Sequence, residues 1–213
     1  MPGILTLTFD DGYRHVYKKI VPLLDSMGMV GVFAVPIDET AVATSEHLPT
    51  TSWQEWVKLR DQGHEIAAHS ISHTDLTSLT AAQLDQELTE PAQKLDARTL
   101  VYPGGAYNDT VIGAATRKYQ AARTTDFGME SVPAEDSMRL KTVNYTDCNW
   151  SLFRANLRVL WASIRGRWLI ETYHVIDDTS DAIHAVPYAQ FVKHIEFIKR
   201  VGISVRTIKS VVS

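Results

Sequence analysis

The chain has 213 residues, 45% of them hydrophobic, and sets 21 Lys plus Arg against 25 Asp plus Glu for a net charge of -4. That length suits one domain, residues 1–213, since α/β barrels commonly run to about 200–250 residues as single units. The balance lacks the basic surplus of a nucleic-acid binder. Cys148 is the single cysteine, which excludes an internal disulfide and a cysteine-built metal site.

Met1-Pro2-Gly3-Ile4 enters a short strand without the basic and long apolar regions of a signal peptide. No segment approaches the roughly 18 uninterrupted apolar residues of a membrane span, so a cytoplasmic protein is the expectation.

Ile4 to Phe9 reads as a first strand, ending at Asp10-Asp11-Gly12. Val16, Ile20, Val21, Leu23, Leu24 and Met27 mark a helix stopped by Gly28, and residues 31–35 a second strand. Ser52 with Glu55 is a capping-box pattern opening a helix closed by Gly63, before a third strand at residues 64–68. Thr80 and Gln83 can cap the next helix, where Pro91 predicts a kink or break. A fourth strand follows at residues 99–102, then a helix over 108–118, a strand over 120–124 and a loop over 126–138. Further strands at 140–143 and 168–173, helices at 152–164 and 188–201, and a last strand at 203–206 that could close the sheet complete the pattern. Regular alternation of strand and helix predicts a parallel sheet, open or closed, with its chemistry at the carboxyl ends of the strands.

Four features fall at such ends. Asp10-Asp11 follows the first strand, His69-Ser70-Ile71-Ser72-His73 the third, Tyr102-Pro103-Gly104-Gly105 the fourth, and His174 the strand from Trp168. Adjacent carboxylates repel unless something binds them; a metal can take one and leave the other as a base. Two histidines four apart, with one carboxylate, make a His2Asp set that leaves a position open for water. Each motif alone also fits ordinary surface residues, a solvated Asp-Asp-Gly turn or two unrelated histidines.

Together they resemble the polysaccharide deacetylases with a NodB homology domain, carbohydrate esterase family four. Thr8-Phe9-Asp10-Asp11-Gly12 matches that family's TFDDG motif and His69 to His73 its HSxxH motif. Tyr102 to Asn108 is similar to the YPxGxYN form of the third motif, and Leu169 to His174 to the final strand ending in a catalytic histidine. The resemblance implies a distorted (β/α)7-8 barrel in which Asp11, His69 and His73 hold a divalent metal, zinc first, with cobalt, manganese or nickel as alternatives. It further implies Asp10 as general base and His174 as general acid, placed across the substrate from each other. The reaction it implies is removal of an acetyl group from an N-acetylated amino sugar or its polymer, through a water activated at the metal. Backbone N–H groups near Tyr102, Pro103, Gly104 and Gly105 would meet the oxyanion, and Trp150 would wall the acetyl pocket. A metal-dependent amidase on a small non-sugar substrate, or a glycan-binding module with weakened catalysis, are the alternatives.

Two departures stand out. The third motif lacks the arginine that orients the base in many members, leaving Arg123 or Arg139 to supply that charge. The fourth motif, commonly DxxDW, is degenerate in Thr146-Asp147-Cys148-Asn149-Trp150. Trp53, Trp56, Trp161 and Trp168 read as packing residues and Asp177-Asp178 as a solvated loop, while a solvated helix face explains the cluster of Arg154, Arg158, Arg165 and Arg167 at least as well as an anionic ligand would. Tyr107 and Tyr173 lie beside motif residues as candidate substrate contacts. His15, His47, His64, His184 and His194 have no partner at ligand spacing and are left outside the site.

Overall fold

A computed structural model describes residues 2–46, 48–178, 180 and 182–213, which leaves His47 outside the described residues. Seven parallel strands, β1 (Ile4–Phe9), β2 (Val32–Val35), β3 (Glu65–Ala68), β4 (Thr99–Val101), β5 (Ala121–Phe127), β6 (Leu140–Asn144) and β7 (Trp168–Tyr173), pair in sequence order. The barrel closes where β7 pairs with β1 along its whole length, from Ile4↔Trp168 to Phe9↔Tyr173. Around it lie α1 (Val21–Met27), α2 (Glu39–Glu46), α3 (Trp53–Val57), α4 (Ala81–Lys94), α5 (Asp109–Ala115), α6 (Leu152–Arg165), α7 (Tyr188–Val201) and α8 (Ile208–Val212). Short strands β8 (Val175–Ile176) and β9 (Ala185–Val186) pair with each other beyond β7.

Alternation along the strands separates two cores, as a period of two requires. Ile4, Val32, Ala34, Ala67, Val101, Ala121, Leu140, Trp168 and Ile170 pack together inside the barrel. Their neighbours Leu5, Leu7, Phe9, Phe33, Ile66, Leu100 and Leu169 face outward onto helix residues such as Leu24, Leu88, Val159 and Ile195. Threonines fill the upper interior: Thr172 Oγ1 lies 2.8 Å from both Thr8 Oγ1 and Thr142 Oγ1, while Thr8 and Thr142 also donate to the carbonyls of Glu171 and Ile170. Buried hydroxyls are thereby satisfied, and the interior stays closed beneath the rim.

Several expectations are corrected. The barrel is closed by β7, and β10 (Ser204–Val205) instead pairs with the lower half of β1, at Ile4 and Leu5, on the edge whose upper half pairs with β2. Pro91 lies within α4 without breaking it, and Ser52 makes no capping hydrogen bond although Thr80 and Gln83 do form their box. Helix α2 had no sequence signal, and β5 runs on to Phe127 into the expected loop. Trp168 is fully buried with its Nε1 donating to Thr6 Oγ1, but Trp161 is about half exposed and does not serve as a core residue.

Candidate metal and acid-base site

The inward phase of the strands delivers the site. Thr8 and Thr172 are paired inward residues, and two positions further along stand Asp10 and His174, with the Asp10 amide donating to Tyr173 O. His69 follows Ala67 by two, and Arg123 follows Ala121 by two. These side chains meet in a cleft of about 160 Å³ whose lining also includes Asp11, His73, Gly104 and Gly105.

Asp11, Ser70 and His73 adopt left-handed backbone conformations, with φ of 73°, 62° and 55°. Non-glycine residues rarely do so, and such strain gathers where a side chain must be re-aimed. Here it turns the Asp11 carboxylate back to the rim and folds the His69–His73 loop into one turn. Glu87 of α4 clamps that loop by accepting from Ile71 N, Ser72 N and Ser72 Oγ, and Ser70 Oγ accepts from His73 N. Asp11 Oδ1 lies 3.3 Å from Nε2 of both His69 and His73. One ligand atom from each residue lies within 4.8 Å of the other two.

This donor set fits a divalent metal. His69 Nδ1 donates to Val101 O at 2.8 Å, which holds the ring with Nε2 facing the Asp11 carboxylate. Two imidazole nitrogens and one carboxylate gathered at one point suit a divalent cation such as zinc. Burial pushes the Asp11 carboxyl up, but hydrogen bonding with His69 and His73 and the charges of His174 and His69 outweigh it and hold it well below the usual carboxylate range.

Asp10 is buried, and Arg123 Nη2 donates to its Oδ2 while Nη1 donates to Thr124 O at 3.1 Å. The other oxygen, Oδ1, has no hydrogen-bond partner among the described residues. His174 Nε2 stands 3.7 Å from Asp10 Oδ2. That is closer than two groups placed across a substrate from each other would stand. Burial pulls the His174 imidazole below its ordinary pKa, against the opposing charges of Asp11 and Asp10 and together with those of His184 and Arg123.

Other expected residues fall differently. Arg139 is exposed and pairs with Asp109 at 3.0 Å and Asp136 at 3.5 Å, away from Asp10. The Tyr102 ring is buried, stacked on Tyr107 with its hydroxyl on Met138 O, so it presents backbone and an inner wall but no hydroxyl to the cleft. Its amide donates to Arg123 O, the Gly105 amide donates to Tyr102 O, and Pro103 has none, which leaves Gly104 as the remaining amide of that stretch. Gly105 is obligatory: φ is 75°, and a Cβ there would meet Thr125 Oγ1 at 2.1 Å. Trp150 donates to Gln190 Oε1 and packs edge-on against Tyr145, bordering a neighbouring depression with Asp147, Asp177 and Asp178. It does not line the cleft. Tyr107 donates to Asp126, and the Tyr173 hydroxyl is buried on Glu171.

Three lining residues had not been expected: Thr125, Asn144 and His184. Asn144 was within reach of the strand-end rule, being two residues past inward Thr142. His184 had no such signal, because it arrives through the pairing of β9 with β8, where its ring stacks on His174 at 4.7 Å. The other described histidines outside the site are engaged elsewhere. His64 accepts from Gly31 N and faces Asp25, His194 bridges Glu171 to Asn156, and His15 accepts from Ile176 N behind His174.

Residues 2–121 match the family model described as polysaccharide deacetylase. The chain belongs to the polysaccharide deacetylase family. Among curated members, Bacillus subtilis (strain 168) YxkH is 29% identical over 133 residues, 59% of this chain and 46% of that protein. The peptidoglycan-N-acetylmuramic acid deacetylase PdaA of the same organism is 30% identical over 119 residues, 52% of this chain and 42% of that protein. The chain thus spans less than half the length of these two relatives. Among solved structures, the Xyl-CE4 domain of a multidomain xylanase from the hindgut metagenome of Trinervitermes trinervoides superposes with a TM-score of 0.63. It is 15% identical and covers 99% of this chain and 90% of that one, a likeness of fold. The matched stretch contains Asp10, Asp11, His69, His73 and the third motif; Arg123 and His174 lie beyond it.

Proposed function

We propose that this cleft removes acetyl groups from an N-acetylated amino sugar within an oligosaccharide or polysaccharide, releasing acetate and a free amine. The observation that carries the reading is the junction of two sets at one rim: Asp11, His69 and His73 around one point, and Asp10 with His174 beside them. A divalent cation held by that triad would polarise the acetyl carbonyl and make water acidic enough to attack it near neutral pH.

The chain's own groups account for the proton movements. Arg123 occupies Asp10 Oδ2 and keeps the carboxylate oriented, leaving Oδ1 to take the proton of the attacking water. An amine leaves poorly unless protonated, and His174, which burial makes a stronger acid once it carries a proton, donates from Nε2 to the departing nitrogen. The Gly104 amide is the backbone donor best placed to meet the developing oxyanion. The small cleft accommodates an acetyl group, with the sugar resting on the surrounding loops.

Acetate release from a panel of N-acetylated oligosaccharides tests this directly. The zinc-loaded protein is expected to release acetate, with Asp10→Asn and His174→Ala each slower by about 10²–10⁴-fold. No release from any sugar, or undiminished release by Asp10→Asn, would refute the assignment.

A further inference from the structure

Helix α6 carries its large apolar residues on the wrong side. Ala155, Val159 and Ala162 are buried against the barrel, while Phe153 is 72% and Ile164 79% exposed, with Leu157, Leu160 and Trp161 also open to solvent. At 3.6 residues per turn, Phe153, Leu157, Leu160 and Ile164 form one stripe facing away from the core, with Trp161 at its margin. A helix packed on a soluble barrel ordinarily turns its large apolar face inward. Phe127, exposed at the end of β5, extends the patch, which is contiguous and unlike the scattered single exposures of an ordinary surface.

The charge along this helix is one-sided. Between Trp150 and Ile170 the chain has four arginines, Arg154, Arg158, Arg165 and Arg167, and no acidic residue, although the whole protein is at -4. Arg154, Arg158 and Arg165 lie along one flank of the stripe. Arg158 and Arg167, with Phe127, Leu157 and Trp161, line a groove of about 570 Å³ beside the helix. Arg158 lies over the Phe127 and Tyr145 rings and Arg167 donates to Met129 O, while Arg154 and Arg165 stay exposed on the helix flank. Apolar and aromatic side chains flanked by arginines are complementary to the phosphate and acyl layers of a lipid surface.

We propose that this face docks on an anionic phospholipid surface. The stripe enters the boundary between headgroups and acyl chains, and Arg154 and Arg165, exposed on its flank, take lipid phosphates. A second copy of the chain is a poorer occupant, since antiparallel two-fold pairing of α6 would set arginine flank against arginine flank with no carboxylate between. Among the described residues no helix is long and apolar enough to cross a membrane.

Cosedimentation of the full chain with phosphatidylcholine vesicles, alone or containing about a third phosphatidylglycerol, tests this. Expected are binding to the anionic vesicles at least about tenfold tighter than to the neutral ones, weakening with salt, and a loss of tenfold or more in Phe153→Ser/Ile164→Ser. Both positions are exposed, so that variant should melt as the wild type does. Arg165→Glu should lose the preference for anionic lipid. The proposal is overturned by absence of vesicle binding, by equal binding of the serine variant, or by release with millimolar inorganic phosphate alone. It is likewise overturned if the wild type runs as a dimer that the serine variant dissociates while neither touches vesicles.

Discussion

Asp10 takes its orientation from a strand that the third motif does not include. The family's usual arginine is absent beside Tyr102, yet Arg123, inward on β5, reaches the same carboxylate, whereas Arg139 is held by Asp109 and Asp136. Sequence spacing could offer both arginines; only the inward phase of β5 separates them. Arg123→Lys keeps the charge but loses the planar fork. Acetate release should fall at least about tenfold with bound metal unchanged, and equal loss of metal would show instead a collapse of the rim. Gly105 is a second residue-scale test: Gly105→Ala combines a left-handed φ with a Cβ driven into Thr125 and should cost about 1–3 kcal/mol in denaturant unfolding. Adding Thr125→Ala should recover part of that loss, since the hydroxyl and methyl are two of the three clashing atoms.

At the scale of elements, the strands and their carboxyl ends were readable because alternation and β-branched composition carry that information locally. What sequence could not place came from long-range pairing. His184 is brought to His174 by β9 folding back on β8, α2 has no strong apolar period, and β10 fills only half an edge of β1. His15 belongs to the same class. It sits behind His174 with its ring accepting from Ile176 N, and burial lowers its pKa to about 4, against the pull of Asp177. A histidine kept neutral in the fold is protonated first in the unfolded chain. Stability should therefore decline as pH falls from about 6.5 toward 4, by on the order of 1–3 kcal/mol from this residue, and then stop declining on its account. Denaturant unfolding of wild type and His15→Gln across that range checks the sign: the difference between them should change there and stay constant above it.

For the whole molecule, a closed barrel beneath a polar rim explains why residues as distant in sequence as Asp10 and His174 become neighbours: they are the next inward positions of two strands paired in register. Family membership was legible from Asp10, Asp11, His69, His73 and the glycines of the third motif, whose roles depend on strand ends. The exposed face of α6 was not: its arginines read as a solvated flank, and only burial shows that the neighbouring large side chains point outward. The central claim is that Asp11, His69 and His73 form one metal site serving Asp10 and His174. Its most direct test is calorimetric titration of zinc into chelator-treated protein, alongside His73→Ala. We predict one equivalent bound by the wild type and affinity at least about 100-fold weaker in the variant; no stoichiometric binding, or equal affinity in both proteins, would contradict it.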